Sequence, residues 1–297
     1  MVSTTSPTLF VKHPQWVAEA TEGTIPTTAT MTSLGAVKSA SIKIGGNFVD
    51  VAQLGSEDLI TILQGQQDYE SSFTLSTVNA TGIIARLIGA SNYATPSGLI
   101  NESISILFSI YLNGTENYIA LKGSRIKEGS ISMDIGKETE ISVTFVHTSI
   151  TTPSATNPVS VSFTPAALPT GAVWGWTDGG TTPVSWNSVG ILAKKATINI
   201  SRGAKAEYTL GNLDPHSSLS HARRISGDFT VLWTDTTLEA DFKAGTARTL
   251  AIVIKTSTST ITVTGAKITD YTRDGDIGSD EAIIESCTWK GLSVAQA

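Results

Sequence analysis

Apolar and polar residues alternate along most of this 297-residue chain, and a period of two predicts strands. Ile42 and Ile44 mark one within residues 40–52, with Gly45-Gly46 as a bulge or bend. Tyr69, Ser71, Phe73 and Leu75 share one face of a second strand over 69–78, and the stretch 53–69, which has no clear period, is expected to be a long loop. Strands are predicted at 104–112 and 118–126, flanking Asn113-Gly114, a dipeptide that accepts positive φ in a hairpin turn. Ile131, Met133 and Ile135 alternate, and Ile141, Val143 and Phe145 line one face of a strand over 140–147. One stretch breaks the rule. Ile83, Ile84, Leu87 and Ile88 recur at helical spacing between a Thr81 N-cap and a Gly89 stop.

The same succession returns. Residues 195–233 echo 41–77 without a gap: Ile42 and Ile44 fall on Ile198 and Ile200, Leu54-Gly55 on Leu210-Gly211, Asp58 on Asp214, and Phe73-Thr74 on Phe229-Thr230. Each pair is 156 positions apart (42 and 198), a register that argues for internal duplication. A second helix is predicted around Leu238 and Phe242, followed by strands around 250–255 and 261–268. There the offset falls to 142, with Gly123 meeting Gly265, Arg125 meeting Lys267, Ile126 meeting Ile268, and Ile141 meeting Ile283. Thr21-Glu22-Gly23 and Thr177-Asp178-Gly179 extend the 156 register to an arm before each domain. The expected plan is an extended arm (1–37), a first β domain (38–150), a linker and second arm (151–194) and a second β domain (195–297).

Composition narrows the function. Net charge is −6, with no Lys/Arg run of the kind that grips nucleic acid. Residues 1–150 hold 8 basic and 13 acidic groups and residues 151–297 hold 12 and 13, so the halves differ electrostatically. The lone Cys287 precludes an intrachain disulfide and reads as a core residue. No stretch has the length and apolarity of a membrane-spanning helix or a secretory leader. His216 and His221 lack the partners of a zinc site, and the acidic run from Asp274 to Glu281 lacks the full spacing of a calcium loop. Arg223-Arg224 reads as a surface or subunit contact. Without a phosphate loop or a Ser-His-Asp order, neither an enzyme nor a cofactor is expected.

The second copy carries a resemblance. Its strand, its Leu-Gly and Asp-Pro loop, the Gly227-x-Phe229-Thr230 strand, the helix closed by Ala244-Gly245-Thr246 and the terminal hairpin are similar to tail tube proteins of long-tailed viruses of bacteria and archaea. The resemblance implies a mainly β fold of two tandem sandwich or half-barrel domains, each with one short helix. Six such domains close an inner β-barrel, so a duplicated chain needs three copies per ring, and rings stack into a hollow tube. It implies assembly in the host cytoplasm, a place in the virion tail, a tape-measure protein and end-capping proteins as partners, and genomic DNA passing without specific binding. On this reading Leu54, Gly55, Asp58, Leu210, Gly211, Asp214, Arg223 and Arg224 are candidates for contacts between rings, and Phe73 and Phe229 for the barrel strands. Asp134, Glu138, Glu140, Asp276 and Asp280 are candidates for an acidic lumen wall over which DNA slides. The competing expectations are a two-domain adhesin or carbohydrate-binding module, stacking sugars on exposed Trp174, Trp176 and Trp186, and a baseplate or capsid decoration protein.

Overall fold

A computed structural model describes residues 12–26, 31–52, 59–77, 81–88, 103–112, 114–157, 174, 175, 177–220, 222–255, 259–275 and 282–296. The chain is mainly β, consistent with a β-sandwich, with two short helices among the described residues. The first series of elements is β1 (Lys12–Ala18), β2 (Thr32–Ser33), β3 (Ala36–Ala52), β4 (Leu59–Ser76), α1 (Thr81–Ile88), β5 (Ile104–Leu112), β6 (Thr115–Asp134), β7 (Glu140–His147) and β8 (Ser149–Ile150). The second is β9 (Val184–Trp186), β10 (Val189–Ile191), β11 (Ala193–Ser201), β12 (Lys205–Glu207), β13 (Ser217–Leu219), β14 (Arg224–Leu232), α2 (Thr237–Ala244), β15 (Arg248–Lys255), β16 (Ser259–Asp274), β17 (Ile284–Gly291) and β18 (Ser293–Gln296).

Both series pair in one order, antiparallel throughout. The first runs β3-β4-β7-β6-β5-β1-β2 with β8 beside β6; the second runs β11-β14-β17-β16-β15-β9-β10 with β18 beside β16. Registers agree in detail: Ala40 faces Phe73 as Ala196 faces Phe229, and bulges fall between Val37 and Ser39 and between Ala193 and Lys195. Gly123 and Gly265 both hold positive φ, 59° and 68°, where a side chain would also strike Thr148 or Leu292. The two series meet where β11 pairs with the far half of β6, setting Ile198 opposite Ile131 and Ile200 opposite Gly129. One sheet therefore continues through eight strands, β3-β4-β7-β6-β11-β14-β17-β16.

Alternation divides the faces of that sheet. Phe73, Leu75, Ile131, Ile141, Val143, Phe145, Ile198, Ile200, Phe229 and Trp289 turn into one buried apolar cluster. Helix α1 adds Ile83, Ile84, Leu87 and Ile88 to it. The C-terminal carbonyls of α1 are closed from the other half of the chain. Arg202 donates to the Arg86 carbonyl at 2.8 Å and to the Leu87 carbonyl, and Arg223 donates to the Ile88 carbonyl. Helix α2 closes itself: Gly245 stands in the left-handed region, and the Gly245 and Thr246 amides bond the Phe242 and Asp241 carbonyls.

Several expectations need correction. The loop expected over 53–69 is a strand from Leu59 onward, residues 53–58 lying outside the described residues: β4 pairs with β3 out to Ala52, because backbone pairing holds a run whose side chains do not alternate. The Leu-Gly and Asp-Pro loop of the second copy, which begins at Leu210, likewise runs into β13 and the start of β14. The first arm is not unpaired chain, since β1 pairs β5, as β9 pairs β15. Nor does the 156 register reach the arms, for Trp16 opposite Ile106 and Trp186 opposite Leu250 occupy matching places 170 positions apart. In the last strand Ile141, opposite Leu75, matches Glu285, opposite Val231, rather than Ile283. Counted between the matching pairs Ser132–Glu140 and Asp274–Ile284, the β16–β17 connection is two residues longer than that between β6 and β7, which moves the offset from 142 to 144.

Candidate assembly interface

The sheet's second face is made of hydroxyls and paired charges. Ser72, Thr74, Ser130, Ser132, Ser142 and Thr144 point there from the first half, and Thr197, Asn199, Ser226, Thr230, Ser286 and Thr288 from the second. Hydroxyls meet across strands at Ser72–Thr144, 3.0 Å, and Thr230–Ser286, 3.4 Å. Several lysines on this side are held by carboxylates: Lys127 by Glu70 at 3.0 Å, Lys195 by Asp228 at 3.3 Å, Lys137 by Asp134 at 2.8 Å, and Lys38 by both Glu138 and Glu140. A trough of about 480 Å³, lined among others by Glu128, Ser130, Ser142, Asn199, Ser201 and Arg224, opens on this face at the junction of the halves.

The acidic candidates sort accordingly. Asp134 and Glu140 lie on the polar face, and the hydrogen bond from Lys137 holds the Asp134 carboxyl below its ordinary value. Glu138 sits in the turn before β7 and also accepts from the Ser76 hydroxyl, 3.2 Å. Asp276 and Asp280, with the rest of the acidic run from Asp274 to Glu281, lie outside the described residues, save Asp274 and Gly275. Among the described residues no cluster of metal-binding side chains occurs. Phe73 and Phe229 are fully buried on the apolar face.

The loop candidates scatter. Leu210 is fully exposed beside Gly211, whose φ is 89°. Asp214 accepts from the Tyr69 hydroxyl at 2.5 Å, and burial followed by this carboxylate pushes the Tyr69 phenol up to about 12. Tyr208 bonds Asp68, and the Gln67 amide bonds the Leu213 carbonyl, 2.9 Å, so this loop is fastened to the first half of its own chain. Arg223 is spent on α1, and burial lowers its pKa; Arg224 points onto the polar face. Leu54, Gly55 and Asp58 lie outside the described residues. Trp174 and Trp186 are buried, the latter donating from Nε1 to Asp241 at 2.8 Å, and Trp176 lies outside the described residues. The stacking platform expected of a sugar-binding module thus loses two of its three rings.

Sequence reasoning missed the sheet's two outer edges. Among the described residues, strand β3 pairs only with β4, and β16 pairs with β17 from Lys267 to Asp274 while its opposite side there carries no partner. Exposure is the clue. Ile42 and Ile44 on β3 are 37 % and 63 % exposed, whereas Ile198 and Ile200, in the same places on β11, are 1 % and 0 %. The repeat already paired these isoleucines, but only the fold reveals that one pair is covered and the other bare.

Sheet edges and broad faces are what the described residues present, and they define a mainly β protein. The chain matches the phage tail tube protein family over residues 13–291, nearly its whole length, and belongs to that family. No match is found among curated proteins. Membership makes it a structural component of the virion tail, one that assembles with itself into tube and works beside other tail components.

Proposed function

We propose that three copies of this internally duplicated chain close into a ring, and that stacked rings form the conduit through which the viral genome leaves the virion. The bare β3 edge carries the reading. Within the chain, β11 is covered by the far half of β6; between chains, the corresponding half of β16 covers β3. Carrying over the internal register sets Ile42 opposite Arg273, Lys43 opposite Thr272 and Ile44 opposite Tyr271. Lys43 then stands diagonally between Asp270 and Asp274, where opposite charges support strand pairing. Closure also removes two edges open to unspecific pairing.

Eight strands per chain make twenty-four in a ring of three. At strand spacings near 4.8 Å and ordinary barrel tilts, such a barrel has a backbone diameter of ~50 Å, leaving a bore wider than a DNA duplex. The face turned inward is the hydroxyl face, since the apolar one is occupied by the core. Lys38, Lys127, Lys137 and Lys195 on it are already paired with carboxylates, which reduces the phosphate contacts and the counterion release that can hold the DNA. Assembly takes place in the host cytoplasm, with a tape-measure protein inside the tube and capping proteins at its ends.

Electron microscopy of the purified protein is expected to show hollow tubes or rings with sixfold outline, containing three chains by native mass measurement. Ile44→Asp, placing a charge on the β3 edge, is expected to keep the wild-type circular dichroism while remaining a monomer. Rings of another chain number, or an Ile44→Asp protein that assembles like wild type, would overturn the proposal.

A further inference from the structure

The contrast between covered and bare repeats does not end at the strand edge. Strands β12 and β13 pair Lys205 with Leu219 and Ala206 with Ser218, and 156 positions earlier the outer parts of β3 and β4 pair Val49 with Leu63 and Asp50 with Ile62. The small sheet in the second half is therefore the counterpart of the long hairpin in the first. In the second half this ribbon breaks away from β11 and β14 and lies over the first half. The Ser218 hydroxyl donates to the Gly123 carbonyl at 3.2 Å and to Glu22 at 2.8 Å, and Ala204 and Ser218 are buried. Its seat is small: Gly123 packs on Thr148, 6 % exposed, whose amide bonds the Lys122 carbonyl.

The hairpin of the first half has no such cover. Phe48 and Ile62, matching Ala204 and Ser218, are 65 % and 58 % exposed on one face of the ribbon. The counterpart of the seat is bare as well. Gly265 packs on Leu292, whose amide bonds the Thr264 carbonyl as Thr148 bonds Lys122, and Leu292 is 82 % exposed.

We infer that the Phe48–Ile62 face of the β3–β4 hairpin is a latch that seats on Gly265 and Leu292 of a second copy of this chain, beside the β3–β16 edge pairing. This rests on the ring reading above and names a further contact within the ring. The residue types support it. A ribbon tethered to its seat by the chain can make do with alanine, serine and threonine, because its ends are already held together. An association between separate chains must offset lost translational and rotational freedom, and large apolar anchors do that. The intrachain seat carries the small residues and the two bare surfaces carry phenylalanine, isoleucine and leucine. Gly45 and Gly46 stand at the base of the hairpin, where the ribbon must turn to reach a neighbour, and a bulge already interrupts the β3–β4 register next to them.

The test uses the full chain. Ile62→Cys combined with Leu292→Cys, oxidised after assembly, is expected to give covalent dimers and trimers on non-reducing gels. Leu292→Asp, at an exposed site, is expected to keep the wild-type fold by circular dichroism and to raise the protein concentration needed for half-assembly about tenfold or more. Disulfides formed only within single chains, indicating a seat for the chain's own segments, would overturn the latch. So would rings of the Leu292→Asp protein at wild-type concentration. If wild-type protein forms rings that Ile44→Asp abolishes and Leu292→Asp leaves unchanged, the latch alone falls; if wild-type protein forms no rings, the ring reading falls with it.

Discussion

The two halves lay out the same strands in the same order and fill them with different chemistry. Where the first half places Ser71, Ser124 and His147, the second places Gly227, Ala266 and Gly291. In the first, the His147 ring is fully buried with a serine hydroxyl 2.7 Å from each nitrogen. In the second, Trp289 lies over Gly227, and a side chain there would strike the ring and the Thr197 carbonyl. A further exchange sits at the outer edge. The apolar pair Ile131–Ile141 of the first half is matched by Arg273–Glu285, with the Tyr271 hydroxyl also on Glu285. Backbone pairing sets the fold in both halves, and the interior needs only matching volume with its polar groups satisfied.

The largest effect that would sharpen this comparison lies at the matched isoleucines. Ile200→Asp buries an unpaired carboxylate under β6 and is expected to cost more than about 4 kcal/mol, seen as a large drop in the urea midpoint. Ile44→Asp, at the matching place, is expected to change that midpoint little. Equal losses in both variants would mean that the β3 edge is already covered within one chain.

Next comes a pH effect confined to the first half. Burial lowers the His147 pKa from 6.5 to about 3, so the folded protein keeps the ring neutral while the unfolded chain takes up a proton below pH 6.5. Stability is therefore fully present above pH 6.5 and is lost as the pH falls toward 3, at up to about 1.4 kcal/mol per pH unit. Between pH 7.5 and 5 the residue is expected to account for a loss of about 2 kcal/mol. Urea unfolding at both pH values should show this difference disappearing in His147→Asn. An unchanged difference would mean that water reaches the ring.

Much of this was legible in the sequence wherever side chains alone decide. The bounds of β7 follow from alternation, the end of β5 from the Asn113-Gly114 turn signal, α1 from its four apolar residues at helical spacing, and the Gly123/Gly265 match from a positive φ that only glycine adopts freely. What stayed hidden depends on partners. The run from Leu59 to Asp68 has no clean period and is a strand only because β3 lies beside it. The short arm strands β2 and β10 exist through pairing, and a connection longer by two residues set Glu285 in the place expected for Ile283. Of the candidate interface, the repeat exposed the matched isoleucines but not which of them were bare. The lumen candidates stand out in the sequence by their charge, whereas the serines and threonines alternating along the same strands carry no such mark.

The smallest effect on stability tests the polar face. Glu70 and Asp228 each hold a lysine on the half-exposed surface, Lys127 at 3.0 Å and Lys195 at 3.3 Å. Such pairs contribute about 0–1 kcal/mol, so Glu70→Gln with Asp228→Asn is expected to leave the urea midpoint almost unchanged. Function is where the change should register. In the proposed ring, two lysines released per chain add a net positive charge of two to each chain's share of the lumen wall. Duplex DNA held by assembled tubes at low salt should rise well above wild type, with an affinity that falls steeply as salt is added. A mutant tube that retains no more DNA than wild type would place these pairs away from the bore and would reverse the assignment of the hydroxyl face to the lumen.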